Sequence, residues 1–322
     1  METFVQQLVN GLTLGSLYAL IAVGYTVVYG ILQLINFAHG EVFMIGAFGA
    51  LTTSLVLFRG NTSLWTLPVM IIGAAIASVG TAVLMERFAY RPLRNAPRLA
   101  PLITAIGISV FLQELVRLNY NGIHYNDFNW NPLDLPSAKS LIPFPQIDVV
   151  TGTALEIGGV TIQRSAIFTV GALAICSALL WYFINRTKTG RGMKAVSQDA
   201  DTARLMGINV DRIIVVAFAL GAVLAAVAGV AQGLQNNNID FRMGFTAGLK
   251  AFTAAVLGGI GNVQGAVVGG LVLGVVESFA TQYIPGQFGG PAWKDIWAFV
   301  LLILVLVFRP QGLLGAKSVD RA

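Results

Sequence analysis

Residues 213–235 read IIVVAFALGAVLAAVAGVAQGLQ, a run of apolar, small and amide side chains without one ionisable group. As a helix it would be about 35 Å long, enough to cross a bilayer hydrocarbon core of about 30 Å. It is apolar on every side, unlike the alternating segments of roughly 10 residues that form membrane β-strands. Similar runs lie near 5–30, 42–58, 64–86, 99–118, 165–184, 246–260, 264–284 and 295–308. We therefore expect an all-α polytopic membrane protein with about eight or nine transmembrane or re-entrant helices. The count turns on 246–260, which is short, Gly-rich and open to a re-entrant reading.

Composition agrees with this class. Of 322 residues, 56% are apolar and 11% charged, and the mean hydropathy is +0.74. A soluble domain carries roughly 25% charged residues because its surface faces water. Cys176 is the only cysteine, which excludes a disulfide scaffold and a Cys-rich metal site. His39 and His124 stand far apart without an HExxH motif, so a zinc protease is not indicated. The first basic residue is Arg59, so the basic leader of a signal peptide is missing and the first apolar run is expected to remain as a span.

The net charge of +5 does not point to nucleic acid, because its location has another reading. Arg87, Arg91, Arg94 and Arg98 share one connector; Arg186, Lys188, Arg191, Lys194, Arg204 and Arg212 share another; Arg309, Lys317 and Arg321 lie at the end. By the positive-inside rule these segments are cytoplasmic. The connector 119–163 holds Asp127, Asp134, Asp148 and Glu156 against Lys139 alone and is expected outside. It is Pro-rich (Pro132, Pro136, Pro143, Pro145), with a short hairpin expected near 147–162.

Two segments start alike. NFAHGEVFMIGA (36–47) and NVQGAVVGG (262–270) each place Asn and then Gly before a Gly/Ala-rich run, which suggests two related halves. Asn36, His39 and Glu41 form either a solvated connector or a buried functional segment. Gly261, Gly265 and Gly269 repeat every fourth residue, and Gly270 with Gly274 adds a second face; glycines so spaced let helix backbones approach closely. The remaining candidate ions within apolar runs are Glu114, Lys250 and Glu277, of which Glu114 has Arg117 three residues away.

No nucleotide site is legible. TKTGRGMKA (187–195) has Ala195 where a P-loop needs Ser or Thr, and GGIGNVQG (258–265) has the wrong spacing for a dinucleotide loop. The loop GRGMKAVSQDADTARLMGINVDR (190–212) instead predicts a short helix over about 198–206, capped by Ser197, with Asp199 and Asp201 in its first turn and Gly207 as its left-handed stop.

The strings NGLTLGSLYALIAVGYTVVYGILQLINFAHGEVFMIGA (10–47), 190–212, GLKAFTAAVLGGIGNVQGAVVGGLVLGVVE (248–277) and LVFRPQGLLG (306–315) resemble the permease subunits of branched-chain amino-acid ABC importers. The resemblance spans essentially the whole chain. It implies a single transmembrane permease domain over 1–322 in the inner membrane, with an external loop at 119–163 and a cytoplasmic coupling loop at 185–212. It also implies a second homologous permease subunit, two cytoplasmic ATPase subunits carrying ATP and Mg, and a periplasmic solute-binding protein. The chain itself would need no cofactor and would not be an enzyme. The pattern Ala195, Asp199, Ala203, Gly207 corresponds to the family's ATPase-coupling segment; Asn36, His39, Glu41, Gly261, Gly265 and Gly269 remain candidates for the pathway or for helix packing. Relatives that move urea, amides or other amino acids give the alternative substrate class. A lone secondary transporter or channel would instead show ion- or voltage-dependent flux, and an intramembrane enzyme would need a nucleophile–base pair that neither histidine supplies.

Overall fold

The computed structural model describes residues 1–58, 63–94, 96–97, 99–117 and 141–315. His124, Asp127, Pro132, Asp134, Pro136, Lys139, Arg59, Arg98, Lys317 and Arg321 lie outside those residues, as does most of the expected external loop.

The helices in chain order are α1 (Glu2–Leu32), α2 (His39–Phe58), α3 (Thr66–Met85), α4 (Leu99–Arg117), α5 (Arg164–Arg186), α6 (Lys188–Gln198), α7 (Ala200–Leu205), α8 (Val210–Asn236), α9 (Met243–Gly258), α10 (Val263–Tyr283) and α11 (Lys294–Phe308). The short strands are β1 (Ile142–Pro143), β2 (Thr153–Ile157), β3 (Val160–Gln163) and β4 (Asn238–Ile239), paired antiparallel as β1–β4 and β2–β3. Among the described residues eight helices are long and apolar enough to cross a membrane, and α9 is the shorter apolar helix. At about 24 Å, α9 falls short of the hydrocarbon thickness. The fold is all-α and polytopic, as expected.

The chain forms two compact units, and they are not its sequence halves. One contains 1–35, 153–217 and 249–322; the other contains 36–152 and 218–248. Helices α8 and α9 therefore each supply residues to both.

In the first unit α1 lies antiparallel on α10. A Cβ on Gly11 would stand 2.7 Å from Val275 Cα, and one on Gly15 would stand 2.8 Å from the Gly270 carbonyl oxygen and from Leu271 Cα. Lipid tails are as apolar as leucine, so helices in a bilayer gain from close van der Waals packing, which small residues permit. The other face of α10 meets α9: a Cβ on Gly269 would lie 2.6 Å from Gly258 N and 2.9 Å from Gly258 Cα. The two faces anticipated for 261–274 are thus both used, with one correction. Gly261 is outside the helix, in a turn at φ 94° with open space around it. Helix α10 begins only after Asn262, whose side chain accepts the amides of Gln264 and Gly265 at 3.0 and 3.2 Å.

This packing sorts the ends of the unit. At one end Phe4 meets Phe279 and the Gln6 side chain pairs with the Thr161 backbone of the β2–β3 hairpin. At the other, the tail amides of Leu313 and Leu314 bond to the carbonyls of Leu257 and Gly258, closing the last turn of α9.

In the second unit α2 packs on α3 and α8 by the same device. A Cβ on Gly46 would meet Ala226 Cα at 2.7 Å, and one on Gly229 would meet the Phe43 carbonyl at 2.6 Å. Helix α3 continues through a π-turn at Glu86–Tyr90 and a 3-10 turn at Arg91–Leu93. Residues 141–152 tuck inward: Phe144 covers Gly233, and Ile142, Ile147 and Val150 are buried.

Gly15→Leu and Gly269→Leu should each destabilise the protein by at least about 1–3 kcal/mol through overpacking. Gly107→Leu and Gly171→Leu, where a Cβ meets nothing within 4 Å, should change little. Thermal unfolding in detergent tests the contrast, and equal losses at all four positions would contradict the packing described.

Candidate functional site

Among the described residues three groups carry the chemistry: the α6–α7 segment, the buried start of α2, and an ionic cluster in the first unit.

The loop at 185–212 is two helices rather than one. Thr187 caps α6 by accepting the Gly190 amide at 3.0 Å. The chain then breaks at Asp199, whose extended backbone and carboxylate cap α7 through the amides of Asp201 and Thr202 at 2.9 and 3.0 Å. Ser197, expected as the cap, lies inside α6 and donates to the Lys194 carbonyl. Both residues are good caps by type; Asp199 also receives the Thr202 hydroxyl at 2.5 Å, which gives it the stronger set of donors. That hydroxyl, followed by the Thr202 amide, holds the Asp199 carboxyl below the usual carboxylate range. Gly207 takes φ 81° just after α7, and Ile208 N bonds to the Ala203 carbonyl, as a left-handed helix stop requires. Asp201 and Arg204 pair at 3.1 Å.

Burial separates the expected coupling residues. Ala203 is only 4% exposed, turned toward its own chain, whereas Leu205 and Met206 are 88% and 78% exposed. An apolar tip on a charged segment is the feature that sequence reading missed. Ala195 is half-buried on α6.

At the start of α2, Asn36, His39 and Glu41 are all buried, so this segment is no solvated connector. Asn36 Oδ1 accepts the Ala38 amide at 3.1 Å and the Tyr90 hydroxyl at 2.6 Å, with Tyr90 presented by the π-turn. Glu41 sits in the first turn of α2, where the helix dipole favours an anion. Its Oε1 accepts Ser109 Oγ at 2.9 Å and Gln113 Nε2 at 2.8 Å from α4. Gly40 and Gly244 approach so closely that neither has room for a side chain. Glu114, by contrast, is half exposed and pairs with Arg117 at 2.7 Å.

The third group joins residues distant in sequence. Lys250 Nζ from α9 meets Glu277 Oε1 of α10 at 2.8 Å, Asp295 Oδ1 of α11 at 2.5 Å and the Tyr18 hydroxyl of α1 at 3.1 Å. Lys250 and Glu277 stand out in the sequence only as lone ions in apolar runs; no periodicity links them to each other, to Tyr18 or to Asp295.

A family described as the branched-chain amino acid transport system / permease component matches residues 7–306. The chain belongs to that family. It is similar to the high-affinity branched-chain amino acid transport system permease protein BraD of Pseudomonas aeruginosa, 44% identical over 99% of this chain and 98% of that protein. It is similar also to the permease proteins LivH of Salmonella typhimurium and Escherichia coli K12, each 42% identical over 99% of this chain and 97% of theirs. The protein is a multi-pass membrane permease component.

Two outcomes follow from these geometries. Glu41→Leu strands the Ser109 and Gln113 donors and should cost about 1–3 kcal/mol, whereas Glu41→Gln retains an acceptor and should cost less; thermal unfolding ranks them. Because the Asp199 carboxyl is depressed in the folded protein, its cap is in full force above the unfolded value near pH 4 and fails only as pH falls through the lower folded value. Hydrogen exchange at the Asp201 and Thr202 amides should accelerate only on that acid side, and in Asp199→Ala at all pH.

Proposed function

We propose that this chain is the translocating subunit of an ABC importer of branched-chain amino acids in the cytoplasmic membrane. The carrying observation is similarity over 97–98% of the length of permeases named for that transport. The end of the first unit that holds Arg186, Arg191 and Arg309 faces the cytoplasm by the positive-inside rule, as do Arg87, Arg91 and Arg94 of the second unit. The amino end of α1 and the β2–β3 hairpin then face outward, toward a solute-binding protein.

Two ATPase subunits hydrolyse ATP with Mg, and a second, homologous permease completes the pathway. The segment α6–α7, within 185–212, transmits their motion. Leu205 and Met206 dock into the ATPase, Asp199 and Gly207 keep α7 rigid and correctly ended, and Ala203 anchors α7 to its own chain. Ala203→Trp would consequently disturb α7 itself, so Leu205 and Met206 are the better probes of docking. The pathway is lined mainly by apolar and small side chains.

The test is ATP hydrolysis and L-leucine uptake in proteoliposomes holding both permeases, the ATPases and the binding protein. Loss of an apolar interface anchor costs about 2 kcal/mol, so Leu205→Asp or Met206→Asp should weaken ATPase docking ~30-fold and abolish stimulation by loaded binding protein, with membrane insertion intact. Wild-type stimulation in both variants would place the coupling contact elsewhere.

A further inference from the structure

Four charges of the first unit alternate in sign. Lys250 lies 2.8 Å from Glu277 and 2.5 Å from Asp295, and Lys294 Nζ lies 3.8 Å from Glu277 Oε1. The members differ sharply in burial. The Lys250 and Glu277 side chains are 7% and 1% exposed, while those of Lys294 and Asp295, neighbours in the first turn of α11, are 44% and 51% exposed. The buried pair is held by α9 and α10 with Tyr18 of α1 beside it; the outer pair comes from one short piece of chain.

Two carboxylate oxygens of this cluster have no hydrogen bond: Asp295 Oδ1, which meets Lys250 as an ion pair, and Glu277 Oε2. Glu277 Oε2 is out of contact with solvent yet has no donor among the described residues. Buried carboxylate oxygens without a donor are rare and call for an explanation. A purely structural clasp explains the Lys250–Glu277 contact but not the orphan oxygen, nor the need for a second, half-exposed pair of the kind that adds little stability.

An ammonium and a carboxylate carried close together on one small body are also the chemistry of an α-amino acid head group. We propose that Lys250 and Glu277 form a head-group subsite for a zwitterionic α-amino acid, and that Lys294 and Asp295 fill it when the solute is absent. The solute carboxylate replaces Asp295 on Lys250, with the Tyr18 hydroxyl alongside. The solute ammonium replaces Lys294 against Glu277 and supplies the donor that Oε2 lacks. The exchange keeps the subsite neutral, since one balanced pair of charges leaves as another arrives. An anion without an ammonium, or a cation without a carboxylate, would leave a buried charge uncompensated, which is costly. The subsite thereby selects zwitterions without reading the side chain. This inference rests on the reading of the chain as an amino-acid permease.

Filling by Lys294 and Asp295 lowers the apparent affinity by the fraction of molecules in which the subsite is closed. Removing both charges should therefore tighten binding, an effect that a structural clasp does not produce. Binding of radiolabelled L-leucine is measured on the importer assembled with its ATPases, without binding protein, and compared with 4-methylpentanoate and leucinamide. The Lys294→Gln, Asp295→Asn double variant should bind L-leucine about tenfold more tightly than wild type, with no gain for either analogue. Glu277→Gln should lose the L-leucine signal; should that variant fail to assemble, Lys294→Gln alone, at a half-exposed position, should still show part of the gain. No gain for L-leucine in the assembled double variant, or an equal gain for 4-methylpentanoate, overturns the subsite while leaving the transport reading intact if wild-type uptake of L-leucine persists. Absence of binding-protein-dependent L-leucine uptake in the wild type overturns both.

Discussion

The close approach of helix backbones at glycine is the constraint from which most of this architecture follows. Apolar contact between helices gains little over contact with lipid, so spans adhere where backbones come near enough for dense packing. On α10, Gly270 and Gly274 accept α1 along Gly11, Gly15 and Ala19, while Gly265 and Gly269 accept the end of α9 at Ala254 and Gly258. These contacts fix α1 antiparallel to α10. That register in turn brings Phe4 to Phe279, Gln7 to Gln282 and Tyr18 to Glu277.

Polar groups then sit where the packing delivers them. The α1–α10 register places Tyr18 beside Glu277, and the α9–α10 contact brings Lys250 to the same point. In the second unit Glu41 Oε1 has neutral donors from α4, while Glu86 has Arg94. Capping does similar work outside the apolar spans: Thr187, Asp199 and Asn262 each satisfy amides that helix geometry leaves open.

The spans were legible because hydropathy acts on every residue of a run, and the short ninth helix because its run was visibly curtailed. The two glycine faces of α10 were legible because they depend on spacing within one helix. Gly261 was misread for the same reason: spacing counts it in the series, but Asn262 ends the turn and starts the helix one residue later. In 185–212, Ser197 and Asp199 are both plausible caps from sequence, and the choice rests on the hydroxyl of Thr202 that only the folded turn brings round. The division into interleaved units was not legible, since it depends on which helices pack rather than on their order. Nor was the inward tuck of 141–152, where Pro143 and Pro145 suggest a solvent loop yet Phe144 and Ile147 are buried.

The same contrast separates what this chain can and cannot recognise. Apolar and small side chains barely distinguish leucine, isoleucine and valine from one another; one methylene in an apolar pocket is worth only about 1–3 kcal/mol. A head group is different, because its two charges demand partners wherever they leave water. Among the described residues such partners are few, and Glu86, Lys250 and Glu277 already stand in ion pairs. A polar solute can therefore be held only where a pair is able to open without leaving a charge behind. In the Glu86–Arg94 pair the side chains are only 1% and 18% exposed. The Lys250–Glu277 pair is the one whose outer members are half in solvent, and so it is the place where exchange with a solute costs least.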